Sequence, residues 1–221
     1  MTENIKAKVL KNSVIVSGHP RSGTSITCQL VKSAGVHFPS DYEGDEYNQS
    51  GYYELEISKD LSKKLIQKAM TIKNTIKMNQ VIEKLNATDG MSGLKLVRIP
   101  AIFFYRHVAQ NLKAVFIFRN PADVKASMLR RGISGFTPDW FTNNNALIAA
   151  YENIENSILL SYETLLTQKD KVKNLFESIG LNIDASLIKT DQRSQKHSSI
   201  VLEQREIKLY EKLKELESKN L

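Results

Sequence analysis

Short apolar runs rich in β-branched residues alternate along this chain with longer stretches whose apolar positions recur every three or four residues. The run Ser13-Val14-Ile15-Val16-Ser17 predicts a strand buried on both faces. Leu94–Arg98, after the turn signal Asp89–Gly93, predicts a second; Ala114–Phe118 and Ile158–Leu160 predict a third and a fourth. Between them, helices are expected from about Ser22 to Ala34 and along two apolar stripes. One stripe is Leu61, Leu65, Ile66, Ala69 and Met70; the other is Ile76, Val81, Ile82 and Leu85. Asn120-Pro121-Ala122-Asp123 reads as a helix start, with Asn as N-cap and Pro in the first position. Val172, Leu175, Phe176 and Ile179 mark a helix closed by Gly180. Ile207, Tyr210, Leu213 and Leu216 give a last helix one apolar face, which leaves packing within the chain or across a homodimer open. Strands alternating with helices predict an α/β fold with a parallel sheet.

Composition narrows this further. The 221 residues contain no proline- or serine-rich linker and no internal repeat, so a single domain over 1–221 is expected. One cysteine, Cys28, excludes an internal disulfide framework and a four-cysteine zinc site, and core filling is its expected role. No apolar run approaches the roughly 20 residues that span a bilayer. The start, MTENIKAKVL, lacks the apolar core of a secretory signal, so a cytoplasmic protein is expected.

The net charge of +7 is unevenly spread. Lys59–Lys84 carries seven lysines against Asp60 and Glu83, and reads as a solvated helix face. Lys95–Arg131 carries eight basic residues against Asp123 alone, beside strand-like runs, which points to an anionic ligand where a sheet ends. Asp41–Glu56 reverses the sign with six carboxylates. No nucleic-acid-binding signature accompanies the basic residues, so no nucleic-acid partner is expected.

Two segments carry candidate chemistry. The first strand runs directly into Gly18-His19-Pro20-Arg21-Ser22-Gly23-Thr24-Ser25 and then into a helix. This is the spacing of a phosphate-binding loop, with Thr24 in the lysine position. Its glycines admit a close backbone approach, and the amides of Ser22 to Ser25 converge where the helix dipole is positive. The cation comes early, at Arg21, which suits an anion without a γ-phosphate. The second segment is Phe118-Arg119-Asn120-Pro121-Ala122-Asp123-Val124-Lys125-Ala126-Ser127. It puts Arg119 at a strand end and Asp123 and Ser127 on one helix face, a second candidate phosphate site.

Together these segments resemble the sulfotransferases that use 3′-phosphoadenosine 5′-phosphosulfate (PAPS), in particular bacterial, carbohydrate-acting members. The resemblance implies a three-layer P-loop-type parallel sheet flanked by helices, with extra helices covering the acceptor cleft. Arg21, Ser22, Gly23, Thr24 and Ser25 match the family's 5′-phosphosulfate loop, and Arg119 and Ser127 match its 3′-phosphate site. Ser161-Tyr162-Glu163-Thr164-Leu165-Leu166 is similar to the segment whose tyrosine, here Tyr162, lies by the adenine. Asn48-Gln49-Ser50-Gly51-Tyr52-Tyr53-Glu54 is similar to a stretch of bacterial members. Arg21 replaces the lysine of cytosolic eukaryotic members, and Ile26 replaces a tryptophan. Their C-terminal Arg-Lys-Gly run is absent, with Arg193 its candidate substitute.

The implied reaction moves a sulfuryl group from PAPS to an acceptor hydroxyl, expected on a saccharide or glycolipid, by in-line displacement with a carboxylate as general base. Arg21 and the loop amides suit the leaving group, so no metal is expected. Glu54 is the first candidate base and Glu43 the second. Lys95 and Arg98 resemble basic residues aimed at the transferred group. His19 and His107 are expected in packing roles, and Trp140 and Phe141 are candidates for an acceptor lid or for core packing. Two alternatives stay open: a P-loop kinase with a modified loop, and a non-catalytic nucleotide-binding module.

Overall fold

The computed structural model describes residues 5–44, 51–67, 70–189 and 200–220. Among them, four parallel strands form one sheet: β1 (Ser13–Ser17), β2 (Ser92–Leu96), β3 (Leu112–Phe118) and β4 (Ser157–Ser161). Their order is β2-β1-β3-β4, with Ile15 of β1 paired to Leu94 and to Ala114. That order reverses direction at β1, so a crevice opens at the carboxyl ends of β1 and β3, the usual ligand position in an open parallel sheet.

Alternate side chains of each strand feed two cores. Ile15, Leu96, Phe116 and Leu159 face a layer built from α2 (Glu56–Gln67), α3 (Ile72–Asn86), α4 (Ile102–Val108), α6 (Trp140–Asn153) and α9 (Gln204–Ser218). Val14, Val16, Ile117 and Leu160 face α1 (Thr24–Ser33), α7 (Tyr162–Thr167) and α8 (Lys169–Ser178). The result is the three-layer arrangement expected, with each fully buried aliphatic side chain stabilising the fold by about 1.5–3 kcal/mol.

Element edges differ from expectation for local reasons. β2 starts at Ser92 and stops at Leu96, so Val97 and Arg98 leave the sheet. A short 3-10 turn, Ile99–Ala101, follows at once, and Pro100 has no amide to extend the ladder. α2 starts at Glu56, whose amide donates to Asp41 Oδ2 at 2.8 Å. In α3, Thr71 caps the start by accepting from the Asn74 amide, and the apolar stripe buries Met78, Val81, Ile82 and Leu85. Ile76 and Met70 are left exposed. α5 (Pro121–Arg130) begins as expected, with Asn120 accepting from the Ala122 amide.

The last helix packs within the chain. Leu209 and Leu213 are buried, and α9 lies against α6, β4 and α5. Two buried carboxylates lock it: Glu206 accepts from Lys125 Nζ at 2.6 Å, and Glu217 accepts from the Ser161 amide at 2.6 Å. Ser161 is also the N-cap of α7, whose first residue is Tyr162. His107 is exposed on α4, contrary to the packing role expected, while its neighbour Tyr105 is fully buried. No described helix is long and apolar enough to cross a membrane.

Candidate active site

The loop between β1 and α1 is shaped for close approach. A side chain at Gly18 would overlap the Ile117 carbonyl, and one at Gly23 (φ +96°) would put its Cβ 2.5 Å from Tyr162 Cδ2. Arg21 also takes a left-handed backbone, φ +69°, a conformation costly for a long side chain. The Ser22 amide closes the turn on the His19 carbonyl at 3.1 Å. α1 then starts at Thr24 with no acidic residue in its first turn, so nothing on the helix neutralises its positive end. The Ser22 hydroxyl is fully buried and finds no partner among the described residues.

The second segment meets this loop directly. Arg119 leaves β3 buried, its carbonyl accepting from Trp140 Nε1 at 3.3 Å. Its guanidinium lies 4.4 Å from the Tyr162 ring centroid, and its Nη1 donates to the Arg21 carbonyl at 3.2 Å. Arg21 in turn donates through Nε to Ser127 Oγ at 3.0 Å. Burial, then repulsion from Arg131 and Arg119, pushes the Arg21 guanidinium below its ordinary range. Three guanidinium groups crowded at one sheet edge favour a bound anion.

A polar chain leads outward from the loop. Lys95, buried on β2, donates to Ser25 Oγ and to the Tyr52 carbonyl, each at 2.9 Å, and pairs with Glu54 Oε1 at 2.9 Å. Glu54 Oε2 pairs with Lys59 Nζ at 3.1 Å, and that ammonium sits 4.5 Å from the Tyr42 ring centroid. Burial alone would raise the Glu54 carboxyl; Lys95 and Lys59 outweigh it and hold the group below the usual carboxylate range. Opposite, Arg98 lies 4.5 Å from the Phe136 ring centroid, and its Nε donates to the Thr137 carbonyl at 3.1 Å.

All this surrounds one cleft of about 530 Å³. Arg21, Gly23, Thr24, Ser25, Arg119, Tyr162 and Glu54 line it together, as do Lys95 and Arg98. Ser127 reaches it through Arg21, and Ser22 is buried within the loop. Glu43 does not come to the cleft; it is exposed on the segment 41–44. Arg193 and Asn48–Ser50 lie outside the described residues.

Sequence reasoning missed several lining groups. Lys59 and Lys63, assigned to a solvated face, line the cleft because α2 borders it. Arg131 and Tyr52 also line it, with Arg131 Nη2 donating to the Tyr52 hydroxyl at 3.3 Å. The four-residue spacing of Lys59 and Lys63 was the one local signal available.

The remaining candidates play structural parts. His19 is buried with its imidazole pushed down to about 4, mainly by desolvation, so it is neutral at pH 7. Burial pushes the Cys28 thiol up to about 12, which makes it inert. Trp140 is core, whereas Phe141 is half-buried beneath Arg205. No group of three or more His, Cys, Asp or Glu able to hold a metal occurs among the described residues.

No family model matches the chain, and no curated protein matches its sequence. Solved structures do match. The sulfotransferase domain from the Synechococcus PCC 7002 olefin synthase superposes with a TM-score of 0.60 at 17% identity, covering 95% of this chain and 96% of that one. The chain has a sulfotransferase fold. A second sulfotransferase domain, from the curacin biosynthetic pathway, gives a TM-score of 0.55 at 14% identity, with 94% and 99% covered. The sulfotransferase fold therefore extends over almost the whole chain.

Proposed function

We propose that residues 1–221 act as one PAPS-dependent sulfotransferase domain that sulfates a hydroxyl of a small-molecule or saccharide acceptor. The observation that carries this reading is the contact between the two phosphate-type segments: Arg21 touches Ser127, and Arg119 touches Arg21, at the edge of one cleft. The residues present suit the donor. Gly18 and Gly23 let the loop lie tightly against Ile117 and Tyr162, the Ser22 hydroxyl has no partner among the described residues, and Arg131 and Arg119 repel Arg21.

In this reading the loop amides and Arg21 hold the 5′-phosphosulfate, Arg119 and Ser127 hold the 3′-phosphate, and Tyr162 packs on the base. The donor supplies an activated sulfuryl group whose leaving group is a nucleotide phosphate. Arg21 and the unneutralised end of α1 stabilise charge that builds on that leaving oxygen. Thr24, in place of a lysine, leaves no group for a γ-phosphate.

In this reading Glu54, the carboxylate lining the cleft among the described residues, takes the acceptor proton. Its two lysine partners keep it ionised at pH 7, ready to accept, at the expense of basicity. Such a weak base suffices if sulfuryl transfer has a loose transition state in which the attacking hydroxyl loses its proton late.

Binding tests this before any acceptor is known. Adenosine 3′,5′-bisphosphate at 100 times its Kd raises stability by about 2.7 kcal/mol in a thermal-shift assay. ATP with magnesium does not. The reverse order refutes the donor assignment and favours a kinase. Labelled PAPS with an acceptor panel then tests transfer.

A further inference from the structure

We infer that the acceptor is itself anionic: a saccharide whose reactive hydroxyl lies near a fixed carboxylate or sulfate, held by Lys63, Lys59 and Arg98. This rests on the donor reading above and deepens it. The argument begins with charge. Seven basic side chains line the cleft, and among the described residues Glu54 is the one carboxylate that does. Glu54 pairs with two of them, Lys95 and Lys59, and Asp123 lies 3.9 Å from Arg119; a phosphate monoester adds about two negative charges and the two groups of a phosphosulfate roughly one each, at the loop. Lys63 and Arg98 stand outside these ion pairs as a positive excess.

Position shows where the excess lies. Arg21, Arg119 and Arg131 cluster at the loop, with Arg119 against Tyr162. The other cations come from different elements: Lys59 and Lys63 from α2, and Arg98 from the end of β2. The chain Ser25–Lys95–Glu54–Lys59–Tyr42 runs from the loop outward, so Lys59 stands three links away from the donor cradle. Lys63, one helical turn beyond Lys59, is exposed and makes no ion pair among the described residues. Arg98 has no carboxylate within salt-bridge distance among them, and it borders the cleft beside Phe136.

The same region supplies flat apolar surface. Tyr42 and Phe136 line the cleft, each beneath one of these cations. Aromatic faces that carry a cation match a sugar ring that carries an anion: the ring packs on the apolar surface while the charge meets the lysine or guanidinium. A neutral phenol or sterol would leave Lys63 and Arg98 unused.

The test is titration calorimetry with the nucleotide site filled by adenosine 3′,5′-bisphosphate. Three disaccharide probes of one backbone are compared: one with a uronate, one with a sulfate, and the neutral parent. The expected result is binding of one or both charged probes at least about tenfold tighter than the neutral parent, with affinity falling as salt rises. Preference between the two charged probes tells carboxylate from sulfate.

Lys63→Glu is expected to weaken the charged probe by about tenfold or more and to leave the neutral probe unchanged. Adenosine 3′,5′-bisphosphate affinity stays within about threefold, because Lys63 is solvent-exposed and salt screens its charge. Lys63→Ala, which removes charge without reversing it, gives an intermediate loss. Equal binding of charged and neutral probes, binding of none, or a Lys63→Glu effect confined to the nucleotide overturns the inference. Absence of nucleotide binding in the unmodified protein refutes the donor reading instead.

Discussion

The Lys95–Glu54 pair offers a direct test of how the cleft is held together. Lys95 and Glu54 are 4% and 13% exposed in their side chains and meet at 2.9 Å. Removing one partner of a buried pair costs about 3–5 kcal/mol, because the survivor stays desolvated. Glu54→Gln leaves the Lys95 ammonium with two neutral acceptors, Ser25 Oγ and the Tyr52 carbonyl, so a loss of about 3 kcal/mol is expected. Lys95→Met leaves Glu54 with Lys59, which is 40% exposed and can follow it, so the loss is about 2 kcal/mol. The double variant buries neither charge. Its loss falls short of the summed single losses by about 2 kcal/mol, the coupling within the pair. Urea unfolding at pH 7, with m-values compared, measures all four corners of the cycle. pH adds an independent check. Because folding depresses the Glu54 carboxyl, its contribution is complete above the unfolded carboxylate range and is lost as pH falls through the folded value. Glu54→Gln lacks that loss. Single losses below about 1 kcal/mol, or additivity within about 0.5 kcal/mol, refute the view that this pair anchors the cleft.

Other consequences can be checked alongside. Arg119→Ala removes a buried guanidinium at the proposed 3′-phosphate site and should weaken adenosine 3′,5′-bisphosphate by about 30-fold; Ser127→Ala should cost about fivefold, both by calorimetry. Gly23→Ala forces a Cβ into the Tyr162 ring at a positive φ, so a stability loss of about 2–4 kcal/mol is expected in urea. His19, depressed by burial to about 4, binds its proton first in the unfolded chain. Stability therefore falls between pH 6.5 and 4 by up to about 3 kcal/mol, and His19→Gln flattens that part of the profile.

The parts of the fold that a reader can find in the sequence are those with purely local causes. β1 is a run buried on both faces, and the loop after it needs glycine where the backbone turns left-handed or passes against Ile117. Asn120 and Pro121 announce α5 for the same kind of reason. The residues proposed to hold the donor stand out because consecutive positions at two strand ends carry them. The proposed acceptor side does not. Lys59 and Lys63 look like an ordinary wet face until α2 is seen to border the cleft, and that placement depends on tertiary packing. The buried face of α3 was legible at Val81, Ile82 and Leu85, with Ile76 exposed and Met78 buried in the turn before them. Within the acidic stretch the resemblance alone put Glu54 ahead of Glu43; the partner that holds Glu54 at the cleft, Lys95, lies too far along the chain to be read locally.

The docking of α9 sets an order of assembly. Glu217 holds the Ser161 amide, and Ser161 starts the helix that carries Tyr162. On the ribosome, α9 emerges after every other described element, so a nascent chain has the loop 18–25 before Ser161 and Tyr162 are held in place. Protease nicking ahead of Gln204 should therefore free Tyr162 first and leave the sheet standing.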